Sequence, residues 1–178
     1  MPVTFILPIA LLDERNMMDM FDINQQRLRF LSIVDEIRIA LGYSLSKEDT
    51  KPEEELAMEM MYGGFDFAVV HSARNSPQRI LIECRFGPLP EGREQQIMLR
   101  LLNMNCALAE LDASVFCLDP ESGDLIYTLS LAIDGMDGNT LLAKMTEIVW
   151  HGRRWLETRF MNDEDRERDS ALDFSVLA

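Results

Sequence analysis

The chain has 178 residues, enough for one domain with its own core, and 47% of them are hydrophobic, which excludes a wholly disordered chain. Seventeen Lys and Arg stand against 31 Asp and Glu, a formal net charge of −14. A field of that sign repels phosphate backbones and anionic lipid surfaces, so neither nucleic-acid binding nor membrane insertion is expected; it favours solubility and the approach of cationic or amphipathic partners.

From the N-terminus, the run Met1 to Leu12 is apolar, but it holds Pro2 and Pro8, lacks a basic start and is too short to span a bilayer. Residues 1–22 therefore read as an ordered or partner-bound arm. With no other stretch of transmembrane length, a cytoplasmic protein is expected. The first helix is expected from Asn24 to Leu41, capped by Asp22 or Asn24 and stopped by Gly42. Leu28, Leu31, Val34, Ile37 and Leu41 recur at helical spacing, while Phe30, Ile33 and Ile39 lie off that stripe. A helix apolar beyond one face needs a second surface to cover it.

Residues 46–64 read as an inserted segment. Its first part is polar, and Pro52 to Met61 favours a short helix with acids in its first turn, ended by Gly63-Gly64. Phe65 to Ser72 and Arg79 to Phe86 alternate as strands, and the intervening Asn75-Ser76-Pro77 makes them a hairpin. A second helix spans Glu91 to Leu111, with Ile97, Leu101, Met104 and Leu108 as its stripe, widened by Met98, Leu102 and Asn105. A second hairpin joins Ser114–Leu118 to Leu125–Ile133 through Asp119-Pro120-Glu121-Ser122-Gly123-Asp124. The last helix runs from Asn139 to Met161 on Leu141, Met145, Ile148, Gly152, Trp155 and Leu156. Residues 162–178 form an acidic tail. The main body, 23–161, is thus an α+β domain of order α-ββ-α-ββ-α, an antiparallel sheet with helices packed on it.

Catalytic signals are missing. His71 and His151 are the two histidines, one ending an apolar strand and one inside the last helix, and neither is paired in sequence with a nucleophile. There is no HExxH, no CxxC, no GxGxxG after a strand and no GxxxxGK[ST]. Cys84, Cys106 and Cys117 are scattered and read as reduced thiols. Carboxylates such as Asp119 and Glu121, or Glu53 to Glu55, sit where a solvated face is the simpler reading. No enzyme and no cofactor is expected. Two methionine clusters, at Met17, Met18 and Met20 and at Met58, Met60 and Met61, suit either core filling or an adaptable binding surface.

Several strings in order resemble one family. Phe86-Gly87-Pro88-Leu89-Pro90 is followed by a helix bearing Leu101-Leu102-Asn103-Met104-Asn105. Then come Leu118-Asp119-Pro120-Glu121-Ser122-Gly123-Asp124-Leu125, a strand, Ile133-Asp134-Gly135-Met136-Asp137, and a helix with Trp155. This is similar to the Tir-chaperone (CesT) family of type III secretion chaperones. The resemblance implies an acidic homodimer around which the extended, non-globular N-terminal segment of a secreted effector is wrapped and kept soluble and secretion-competent without ATP. It implies dimer contacts at Ile97, Leu101, Met104, Leu129 and Leu131. It implies client contacts at Leu28, Leu31, Phe67, Val69, Ile80 and Ile82. The long lead before the first helix, the 46–64 insertion and the tail depart from the family pattern. The alternatives are a non-secretory adaptor and a small ligand-binding α+β domain.

Overall fold

The computed structural model describes residues 10–43, 55–111 and 114–161. The described elements run α1 (Ala10–Ala40), β1 (Leu56–Tyr62), β2 (Phe65–His71), β3 (Arg79–Pro88), α2 (Glu94–Leu111), β4 (Ser114–Leu118), β5 (Asp124–Ala132) and α3 (Gly138–Thr158). The rest of the arm, residues 44–54 and the acidic tail lie outside the described residues.

The segment expected as a helix at Pro52–Met61 is strand β1. Its Glu and Met residues have good helix propensity. Yet Leu56, Met58, Met60 and Tyr62 alternate with more exposed residues, and antiparallel pairing with β2 puts that row on the inner face. Gly63 and Gly64 do not stop a helix; they are the two-residue turn between β1 and β2. Their φ values of 61° and 92° are open to glycine at no Cβ cost.

The two expected hairpins form, and pairing of β3 with β5 joins them into one antiparallel sheet of order β1-β2-β3-β5-β4. Strand periodicity sorts the side chains by face. Phe65, Phe67, Val69 and His71, then Ile80, Ile82, Cys84 and Phe86, then Leu125, Tyr127 and Leu129 are all buried on one face. Helices α1 and α3 cover that face side by side, with Phe30 of α1 stacked on His71 at 5.3 Å.

Helix α1 begins at Ala10, ahead of the expected Asn24, because no Gly or Pro interrupts the chain from Ala10 to Leu41. Its core face also differs from the expected stripe. Phe30, Ile33, Val34 and Ile37 are buried, whereas Leu28 is 67% exposed. Both rows satisfy helical spacing, and the sheet selects the one carrying the aromatic ring.

Helix α3 approaches closely enough that a Cβ on Gly152 would lie 2.6 Å from the Phe65 ring. Asp137 caps its start, accepting from the Thr140 amide at 2.7 Å. Arg159, at φ 53°, ends it before the expected Met161 and donates its backbone N–H to the Trp155 carbonyl.

Candidate functional site

Exposed apolar side chains show where a fold leaves surface for another molecule. Here they gather at the two opposite edges of the sheet, with Leu28 of α1 and Trp150 and Leu156 of α3 besides. At the β4 edge, Met98, Leu99 and Leu102 of α2 and Val115 and Leu118 of β4 face solvent. A groove of about 230 Å³ between α2 and β4 is lined by Leu101, Leu102, Asn105, Phe116, Cys117 and Leu118, among others. At the β1 edge, Ile39, Tyr43 and Met61 are exposed. A groove of about 300 Å³ there is lined by Ile37, Leu41, Tyr43, Met58 and Met60, with Arg38 and Glu59 at its rim.

The edges differ in how their backbones are treated. The Asn105 side chain donates to the Phe116 carbonyl at 2.9 Å and accepts from the Phe116 amide at 2.8 Å. Strand β1 is the terminal strand on the other side, and among the described residues nothing pairs with its outer rim. Its closing pair Tyr62–Phe65 flanks a two-residue turn, so Ala57, Glu59 and Met61 turn their N–H and C=O groups outward.

The sheet's uncovered face carries a depression of about 410 Å³, open and lined by Glu59, Met61, Asp66, Ala68, Glu83 and Arg85, among others. Arg85 is committed to structure. It bonds Asp119 at 2.8 Å, and Asp124 and Ser122 at 2.9 Å, tying the β4–β5 turn to β3. Backbone amides led by Glu121, together with Arg85, hold the Asp119 carboxyl below its ordinary range.

The residues singled out from sequence divide sharply. Phe67, Val69, Ile80 and Ile82, expected at a client groove, are core residues under α1 and α3, and their side chains have no surface to offer. Leu28 is exposed on α1 and Leu31 is half-buried. Of the dimer expectations, Ile97, Leu101 and Leu129 are buried within the subunit, and Met104 and Leu131 are half-buried. A periodic stripe finds the face a helix turns to its own core. The surface left over is the complement, and its signal was the widening of the α2 stripe at Met98 and Leu102. Leu99, Val115 and Leu118 gave no such signal.

His71, His151 and Cys84 are each occupied or suppressed. His71 Nε2 lies 2.8 Å from the Pro77 carbonyl, and burial lowers its pKa. His151 stacks on Tyr127, and burial lowers its pKa as well. Burial, with Asp66 nearby, pushes the Cys84 thiol up to about 12, far from a reactive thiolate. Among the described residues no three His, Cys, Asp or Glu side chains are grouped to hold a metal ion, and no described helix is long and apolar enough to cross a membrane.

A one-sided antiparallel sheet with helices on one face and apolar grooves at both edges defines the class as a small α+β fold. The model of the Tir chaperone protein (CesT) family matches residues 52–156, more than half of the chain, and the protein belongs to that family. The match includes β1, so this strand is part of the family's domain. Solved structures share the fold. The ExsC-ExsE complex matches at TM-score 0.54 and 16% identity, over 72% of this chain and 90% of that one. The HopA1-SchA chaperone-effector complex matches at 0.54 and 18%, over 74% and 95%. The Yersinia pestis type III secretion chaperone SycH, solved with a fragment of YscM2, matches at 0.52 and 16%, over 69% and 96%. Comparison with curated proteins gives no match.

Proposed function

We propose that this protein is a type III secretion chaperone that acts in the cytoplasm as a homodimer. It binds the non-globular N-terminal segment of a secreted effector and keeps it soluble and secretion-competent, with no catalytic step. Family membership supports the class. The HopA1-SchA chaperone-effector complex and SycH with a fragment of YscM2, both similar in fold, hold a chaperone with a polypeptide partner. The observation that carries the reading in this chain is the unsealed β1 rim beside the groove of Ile37, Leu41, Tyr43, Met58 and Met60.

An extended client gains main-chain hydrogen bonds along that rim and places an apolar side chain in the groove, the physics of strand addition. Leu28 and Leu31 extend the apolar surface along α1. The second copy uses the α2–β4 face, where Met98, Leu99, Leu102, Val115 and Leu118 lie exposed over the buried Ile97 and Leu101. Met104 and Leu131 are partly buried against the core.

Co-expression with the N-terminal segment of a candidate effector, followed by size exclusion with light scattering, tests the reading. A complex of two copies with one client is expected. A monomer that retains no client would overturn it.

A further inference from the structure

Resting on the reading that a client adds a strand, we infer that Asn105 is the residue that decides which edge of the sheet accepts one. An antiparallel strand offers outward N–H and C=O groups at every second residue. In β4, a strand of five residues, the central outward pair belongs to Phe116. The Asn105 amide meets both groups, at 2.9 Å and 2.8 Å, in the same donor-and-acceptor exchange that a neighbouring strand would make. It is a one-residue surrogate strand.

Helix bulk does not do this alone. A groove of about 230 Å³ stays open between α2 and β4, and it reaches Cys117 and Leu118 on the strand itself. An unpaired edge with apolar flanks is a template for wrong pairing, and proteins close such edges deliberately. With Phe116 occupied, β4 is closed at its centre, and a second copy must dock there through side chains instead of extending the sheet. Among the described residues β1 is then the edge left open, so a client strand enters on one side in one place.

The test uses the full chain carrying Leu102→Glu, so that no second copy covers β4, and a soluble lysine-capped peptide of alternating Thr and Val carrying a nitroxide label; the protein with Asn105 intact on this background is the native reference. Paramagnetic broadening of backbone amide signals is read at Ala57, Glu59 and Met61 of β1 and at Ser114 and Leu118 of β4. In the native protein, broadening is expected on β1 alone. In Asn105→Ala it is expected on both edges, with affinity for β1 unchanged within about twofold. Asn105→Asp keeps the acceptor for the Phe116 amide and loses the donor; it is expected to open β4 partially, and it serves should the alanine variant fail to fold. Broadening of β1 alone in every folded variant overturns the role of Asn105 and leaves strand addition standing. Broadening of β4 in the native protein overturns it too. Broadening of neither edge in any protein overturns both.

Discussion

His71 shows how burial turns a titratable residue into a sensor of stability. Its ring stacks on Phe30, Nε2 faces the Pro77 carbonyl, Arg27 adds a repulsive charge, and Nδ1 has no hydrogen-bond partner among the described residues. Burial lowers its pKa below the ordinary 6.5, so the unfolded chain binds the proton first. The neutral ring's contribution is fully present above about pH 6.5 and is lost as pH falls toward the lower folded value. His151 acts in the same direction. Urea unfolding is expected to show lower stability at pH 5 than at pH 7.5, and the difference should shrink in His71→Phe. A pH-independent midpoint would contradict this.

Two other residues set the spacing of α3. Gly152 lets the helix approach Phe65, and an added Cβ meets that ring at 2.6 Å. Gly152→Ala should cost about 1–3 kcal/mol by overpacking. Trp155 is fully buried, and Trp155→Ala should cost about 3–5 kcal/mol, measured by urea midpoint at constant slope.

At the scale of elements, β1 carries the argument. Its outward groups are what a client strand needs, and an outward N–H is the one backbone group proline lacks. Glu59→Pro on this edge should leave the domain folded and weaken client binding by tenfold or more. Titration of a labelled effector segment, with circular dichroism as the folding check, reads both. Unchanged binding would place the client elsewhere. The strand also shows where local sequence misleads. Leu56–Tyr62 has helix-favouring composition, and its alternation is diluted because Met61, 68% exposed on the outer face, is as apolar as Met60 on the inner one. Only the partner β2 distinguishes the two rows.

At the scale of the whole molecule, the exposed Met98, Leu99, Leu102, Val115 and Leu118 form the face assigned to the second copy in the proposed dimer. Burial in a dimer links stability to concentration. The melting temperature should rise with protein concentration, and Leu102→Glu should yield a monomer by light scattering with the subunit still folded. Persistence of the dimer in this variant would rule out the α2–β4 face.

The sequence by itself determined much of the architecture. Alternation in Phe65–His71, Arg79–Phe86 and Leu125–Ile133 marked strands, turn residues joined them in hairpins, and Trp155 marked the last helix as core. These signals are local, since each rests on spacing of two or of three and four within one segment. The ordered strings around Gly87, Asn105 and Asp119 pointed to the family that the comparisons show. Only the tertiary structure decided which apolar residues are surface. Phe67, Val69, Ile80 and Ile82 carry the same period-two signal whether a helix or a client covers them, and α1 and α3 cover them here. Leu28 and Phe30 both obey helical spacing, and contact with His71 chose Phe30. Asn105, a polar residue in an apolar stripe, was expected to bond a neighbouring backbone group, and only the tertiary structure showed that the group belongs to Phe116 of β4. Hydrophobicity is non-directional and fixes what must be buried. The partner that buries it is set by the packing of distant segments.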